Sequence, residues 1–129
     1  MTVYSLLAVM IGGALGSALR WGVGLWLNPL LPTLPLGTLA ANLAGGFIIG
    51  GALGVFEQFQ SLPPEIRLFV ITGFCGGLTT FSTFSAETVT LLLRQQYAWT
   101  FAIVSVHLLG SLAMTLAGIG AVKFLFRSI

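Results

Sequence analysis

Charge is almost missing from this sequence. Only 6% of its 129 residues are Asp, Glu, Lys or Arg, five basic and three acidic, where a soluble domain carries roughly 25%. So few charges cannot solvate the surface of a water-soluble fold. With 57% hydrophobic residues, the composition points to a bilayer as the solvent. Cysteine is scarce too. The single Cys75 excludes an intrachain disulfide and a cysteine-based metal cluster. Five basic residues are too few to form a nucleic-acid surface, so no nucleic-acid partner is expected. The start MTVYSLLAVMIGGALGSALR lacks a basic leader and reads as a retained first helix rather than a cleaved signal.

What is present is apolar and long. A span needs about 20 mostly apolar residues, and four segments qualify, at 3–26, 35–57, 64–94 and 97–125. The breaks between them are legible: Asn28-Pro29 through Pro35, Glu57 to Pro64, and Arg94-Gln95-Gln96. The expectation is therefore an all-α, multi-pass bundle of four transmembrane helices making one domain over residues 1–129. An even number of spans puts both termini on one side. That side holds Arg67, Lys123 and Arg127, and the other holds Arg20 and Arg94. Orientation follows the basic bias of short loops, and three against two is almost no bias. The chain is thus a candidate for inserting both ways, as an antiparallel dimer. Glycines four apart, Gly12 with Gly16 and Gly46 with Gly50 and Gly54, predict close helix approach in lipid.

Polar groups inside spans are costly, and they are commonly functional or paired. Asn42 lies in the second helix, with Thr38 and Gly46 on its face. His107, Ser111 and Thr115 follow at spacings of four, which makes one stripe of the fourth helix. Asn42 and His107 suit either a functional site or an interhelical hydrogen bond. Ser and Thr can bond back to their own helix carbonyls at little cost. Arg20 reads as an anchor at the end of the first helix that also attracts anions to a vestibule. Glu87 is the one acid deep in a span, and a local hydrogen bond or ion pair is its simplest partner.

The third segment is the odd one. It runs 31 residues by these boundaries, and TGFCGGLTTFSTFS, Thr72 to Ser85, occupies its middle. Gly76-Gly77 weakens the helix, and Thr79 or Thr80 can cap a new one. Two half-helices meeting near 76–79, at mid-membrane, are predicted. A broken helix survives at that depth only where protein or a watery cavity covers the freed backbone. The ending half offers carbonyls to a cation, and the starting half offers N–H groups to an anion. Phe81 and Phe84 share a face just beyond the break. Ordinary packing is the simplest account of them. Beside the hydroxyls, however, their positive ring edges can also face an anion, with Asn42 and hydroxyls as further weak sites of the kind that conduction requires.

The run GFCGGLTTFSTFSAE, with GTLAANLAGGFIIG and IGGALGSALRW, closely resembles the Fluc (CrcB) family of small bacterial fluoride channels, over essentially the whole chain. The resemblance implies a dual-topology homodimer in the bacterial inner (plasma) membrane, which passively exports toxic fluoride from the cytoplasm. It implies fluoride-facing rings at Phe81 and Phe84, a pore asparagine at Asn42 and a pore serine at Ser111. His107 and Thr115 share that stripe, and a hydroxyl and acid track continues through Ser82, Thr83 and Glu87. The resemblance further implies a vestibule role for Arg20. It also implies a structural sodium ion, not transported, on the backbone carbonyls of Gly76 and Thr79 from both subunits. A four-helix proton-coupled or multidrug exporter is the main alternative. That mechanism needs a carboxylate in the first helix, whose only charge here is Arg20.

Overall fold

A computed structural model describes residues 2–127, all of whose regular structure is helical. In chain order the elements are α1 (Val3–Leu27), a 3-10 turn (Asn28–Leu30), α2 (Leu36–Gln58), α3 (Pro64–Arg67), a π-helical stretch (Leu68–Cys75), α4 (Gly76–Leu78), α5 (Phe81–Leu93) and α6 (Tyr97–Phe126). Four stretches are long and apolar enough to cross a membrane: Val3–Leu30, Leu36–Gln58, Pro64–Leu93 and Tyr97–Phe126. They match the four expected spans to within a few residues. The protein is a multi-pass membrane protein.

Local chemistry sets the ends. Thr2 caps α1, its Oγ1 accepting from the Ser5 N–H at 3.2 Å. Pro29 cannot continue that helix. Asn28 then folds back, and its Oδ1 accepts from the N–H groups of Gly37 (2.8 Å) and Thr38 (3.2 Å). It thereby caps α2, whose own N-cap position is Pro35 and offers no side-chain acceptor. Pro64 opens the third span from its first turn, where the missing N–H costs nothing. Gln95, at φ 58°, turns the chain between α5 and α6.

The glycine ladders work within the chain. At Gly12 an added Cβ would fall 2.9 Å from the Phe74 nitrogen, and Gly16 meets Phe74 and Leu78 in the same way. These two glycines seat α1 on the third span. On α2, Gly46 faces the Ser111 carbonyl, Gly50 the Thr115 carbonyl and Gly54 the Val122 side chain, while Gly118 of α6 faces back toward Phe47 and Gly50. Small residues at such a seam let two backbones come together where lipid gives no hydrophobic drive. Outward, large apolar side chains such as Trp26, Phe101 and Leu116 stay exposed, which suits a surface wetted by lipid tails.

Two features of the third span differ from the sequence reading. Its first half is π-helical over eight residues, a form usually confined to single wide turns. The interruption also falls at Thr79-Thr80 rather than at the glycine pair. Thr79 (φ −88°, ψ 154°) and Thr80 (φ −149°, ψ 117°) are extended, while Gly76 stays helical at φ −62°, ψ −38°. Gly77 has a packing task instead. A Cβ on Gly77 would lie 2.5 Å from the Gly13 carbonyl and 2.9 Å from the Ser17 nitrogen. Thr80 fills the expected capping role, its Oγ1 accepting from the Thr83 N–H at 3.1 Å.

Candidate functional site: a neutral cavity at the interrupted span

An extended pair of residues inside a helical span leaves peptide groups without helical partners, and each must be satisfied or left costly. Asn42 of α2 satisfies both of those on Thr80. Its Oδ1 accepts from the Thr80 N–H at 2.8 Å, and its Nδ2 donates to the Thr80 carbonyl at 3.2 Å. One side-chain amide thus meets both polar groups of one residue, as a neighbouring peptide would. The same Nδ2 lies 3.0 Å from His107 Nδ1 on α6. Below the break, the Cys75 carbonyl accepts from the Thr79 N–H (2.9 Å) and from Thr79 Oγ1 (2.7 Å). The Gly77 carbonyl accepts from Arg20 Nε at 3.0 Å. Among the described residues, no side chain or neighbouring element donates to the carbonyls of Gly76 and Thr79.

Around this point opens a cavity of about 420 Å³, with Asn42, Gly76, Thr79, Phe81, Phe84, His107 and Ser111 in its wall. Seven sequence-predicted residues, drawn from α2, the third span and α6, thus meet in one place. No Asp, Glu, Lys or Arg is in that wall. Gly45, Ile49, Ile71, Leu108 and Leu112 add apolar surface to it, and Cys75 also lies in it. Phe81 and Phe84 stand edge to face, centroids 5.6 Å apart. Phe84 leans on the His107 ring at 4.7 Å and on the cluster of Leu34, Leu91 and Ile103. Phe81 by contrast is 79% exposed.

The other predicted residues lie outside the cavity wall. Thr83 and Ser82 surround the Thr80 cap, with Thr80 Oγ1 donating to Thr83 Oγ1 at 3.1 Å and 3.3 Å from Ser82 Oγ. Glu87 accepts from Thr38 Oγ1 at 2.7 Å, the hydrogen bond its position suggested, and its Oε1 is buried without a partner among the described residues. Thr115 donates to the Gly46 carbonyl (3.1 Å) and to Ser111 of its own helix (3.0 Å), so it ties α6 to α2. Arg20 is not a free end-of-helix anchor, since its guanidinium is committed to the Gly77 carbonyl. A cation there suits the C-terminal end of a half-helix. Sequence reasoning missed the capping role of Asn28. An asparagine directly before proline was the available signal.

These features define a class: a helical membrane protein that keeps a neutral, polar-studded cavity at an interrupted span, suited to a small ion rather than to covalent chemistry. Residues 7–119 match the family described as CrcB-like protein, Camphor Resistance (CrcB), and the chain belongs to that family. It is 66% identical over 125 residues to the fluoride-specific ion channel FluC of Nitrosospira multiformis, covering 97% of this chain and 98% of the relative. The proteins of the same name from Chromobacterium violaceum and Nitrosomonas europaea are 58% and 57% identical. Each match covers 95% of this chain, and 98% and 96% of the relative.

Proposed function

We propose that this chain is a fluoride-selective passive ion channel, not an enzyme, which exports toxic fluoride across the bacterial inner membrane. The observation that carries this reading is the neutral cavity itself. A small anion entering it must replace water with something of comparable polarity. Here the replacements are positive ring edges of Phe81 and Phe84, the amide of Asn42, the Ser111 hydroxyl and the N-terminal end of α5. None is a full cation, so no single site is strong enough to trap the ion, and weak sites in series are what conduction requires. Ser82, Thr83 and Glu87 with Thr38 continue a polar track along α5, and Thr115 extends the stripe of α6. Arg20, beside the break, adds positive potential toward the approach. No carboxylate in the wall can alternate between a proton and a substrate, which disfavours the proton-coupled exporter.

The working unit in this reading is a dual-topology homodimer of antiparallel copies, with the interruption at mid-membrane. The near balance of basic residues supports it, and so does Phe81, which a second copy would cover. A structural sodium, not transported, fits the donor set. Gly76 and Thr79 line the cavity, their carbonyls are hard oxygen acceptors to which no side chain or neighbouring element donates among the described residues, and two copies would supply four such oxygens, of the kind that suits a small hard cation. Bound there, sodium would fix the two halves of the interrupted span in register.

Purified protein in liposomes should pass fluoride electrically, without a proton gradient and in preference to chloride. Strict proton coupling would falsify the channel reading. Replacing sodium by a bulky organic cation should slow the flux, and unchanged flux would remove the sodium from the account.

A further inference from the structure

His107 is the only histidine of the chain, it is 4% exposed, and it sits in the cavity wall. A neutral imidazole carries one N–H and one bare nitrogen, and the tautomer follows from its neighbours. Here backbone groups, whose donor and acceptor identities are unambiguous, fix it. The Thr80 N–H must donate, so the Asn42 atom 2.8 Å away is the oxygen. The Thr80 carbonyl must accept, so the other Asn42 atom is the NH2 group. That NH2 also faces His107 Nδ1 at 3.0 Å, so Nδ1 is the bare, accepting nitrogen. The single proton of the ring therefore lies on Nε2. Nε2 is buried and has no hydrogen-bond partner among the described residues.

A buried donor left unpaired is costly, and the His107 ring is part of the lining of the cavity that an anion would enter. We infer that Asn42 locks His107 as the Nε2–H tautomer, which makes that N–H a neutral, fixed-direction donor to the small anion in the cavity. The inference rests on the channel reading and adds a residue role to it. The groups shown against the ring are Asn42 from α2 and Phe84 from α5. None is charged, and Cys75 is the only other titratable group in the cavity wall. The donor is therefore set by hydrogen bonding alone. Phe84, tilted by 36° against the ring with centroids 4.7 Å apart, restrains its plane while Asn42 holds its proton.

With one histidine, selective 15N labelling gives one pair of ring signals. In bilayer nanodiscs near neutral pH, Nε2 should read as protonated and Nδ1 as bare. Sodium fluoride should shift Nε2 more than Nδ1, and sodium chloride should leave both in place. Asn42→Ala should erase the tautomer preference. In liposomes His107→Leu, which removes the donor, should lower fluoride flux by about tenfold or more. His107→Gln can place an amide N–H near the Nε2 position and should stay within about threefold of wild type. A protonated Nδ1 in the wild type overturns the inference. So does an Nε2 signal that ignores fluoride in a protein that conducts it. Absence of fluoride flux in the wild type overturns the channel reading and the ligand role together, while the tautomer is decided by the spectrum without fluoride.

Discussion

Replacing Asn42 by Asp tests the joint at the break with almost no change of shape. Asp keeps an oxygen to accept from the Thr80 N–H, the 2.8 Å bond. It cannot donate, so the bond to the Thr80 carbonyl (3.2 Å) becomes a contact between acceptors, while His107, 3.0 Å away through Nδ1, can move its proton to that nitrogen and donate to the carboxylate. Interhelical hydrogen bonds in membrane proteins average only ~0.6 kcal/mol. Here, however, the Thr80 carbonyl remains in place and is left unpaired, and such a buried group costs ~1–3 kcal/mol. The larger estimate governs, and Asn42→Asp should lose about 1–3 kcal/mol of stability. The carboxylate also adds a negative charge to a wall that has none, so fluoride flux should fall more than tenfold. Equilibrium unfolding in bicelles by steric trapping measures the first effect, and liposome efflux measures the second. A variant as stable as wild type would show that Asn42 does not carry the break. A variant that conducts normally would show that the anion does not pass this wall.

Other variants probe separate contacts. Phe81→Ile should lower fluoride flux without measurable loss of stability in the single chain, because that ring is 79% exposed. Phe84→Ile should lower flux and also cost about 1–2 kcal/mol, since it leaves His107 and the Leu34, Leu91 and Ile103 cluster underpacked. Unchanged flux in both would make the rings mere packing. Gly50→Ala puts a methyl against the Thr115 backbone and should destabilise by about 1–3 kcal/mol through overpacking, whereas Gly120→Ala, with open space around it, should be neutral. Comparing the two by thermal unfolding isolates the α2–α6 seam. Arg20→Gln shortens the side chain that serves the Gly77 carbonyl and should cost about 1–2 kcal/mol; full stability would show that contact to be dispensable.

Much of this was legible because lipid makes composition an unusually direct signal. Four apolar stretches separated by Pro29, Pro64 and Gln95 could hardly be read otherwise, and the ends came within a few residues. The polar stripe of His107, Ser111 and Thr115 was visible as spacing, and the first two of these share the cavity wall with Asn42 of α2. What spacing could not supply was the direction of each backbone group. Gly76-Gly77 is the weakest helical point by propensity, yet it stays helical, with Gly77 too close to Gly13 and Ser17 of α1 to admit a side chain. The interruption passes to Thr79-Thr80, where Asn42 offers partners. Tertiary partners overruled local propensity there. Arg20 misled for a related reason: its distance along α1 suggested a helix end, but its real partner is a carbonyl 57 positions on.

The amide of Asn42, serving Thr80 as a substitute peptide, bears on the order in which the chain can assemble. A lone third span entering hydrocarbon has nothing to pair with an open Thr80 N–H and carbonyl, and each unpaired group costs several kcal/mol there. Such a segment is driven to insert as one unbroken helix. Only after α2 docks does an alternative partner exist, and only then can the helix part. The opening in this span is thus a late event, made by a neighbour after insertion is complete, and a chain lacking Asn42 would have reason to keep the span closed.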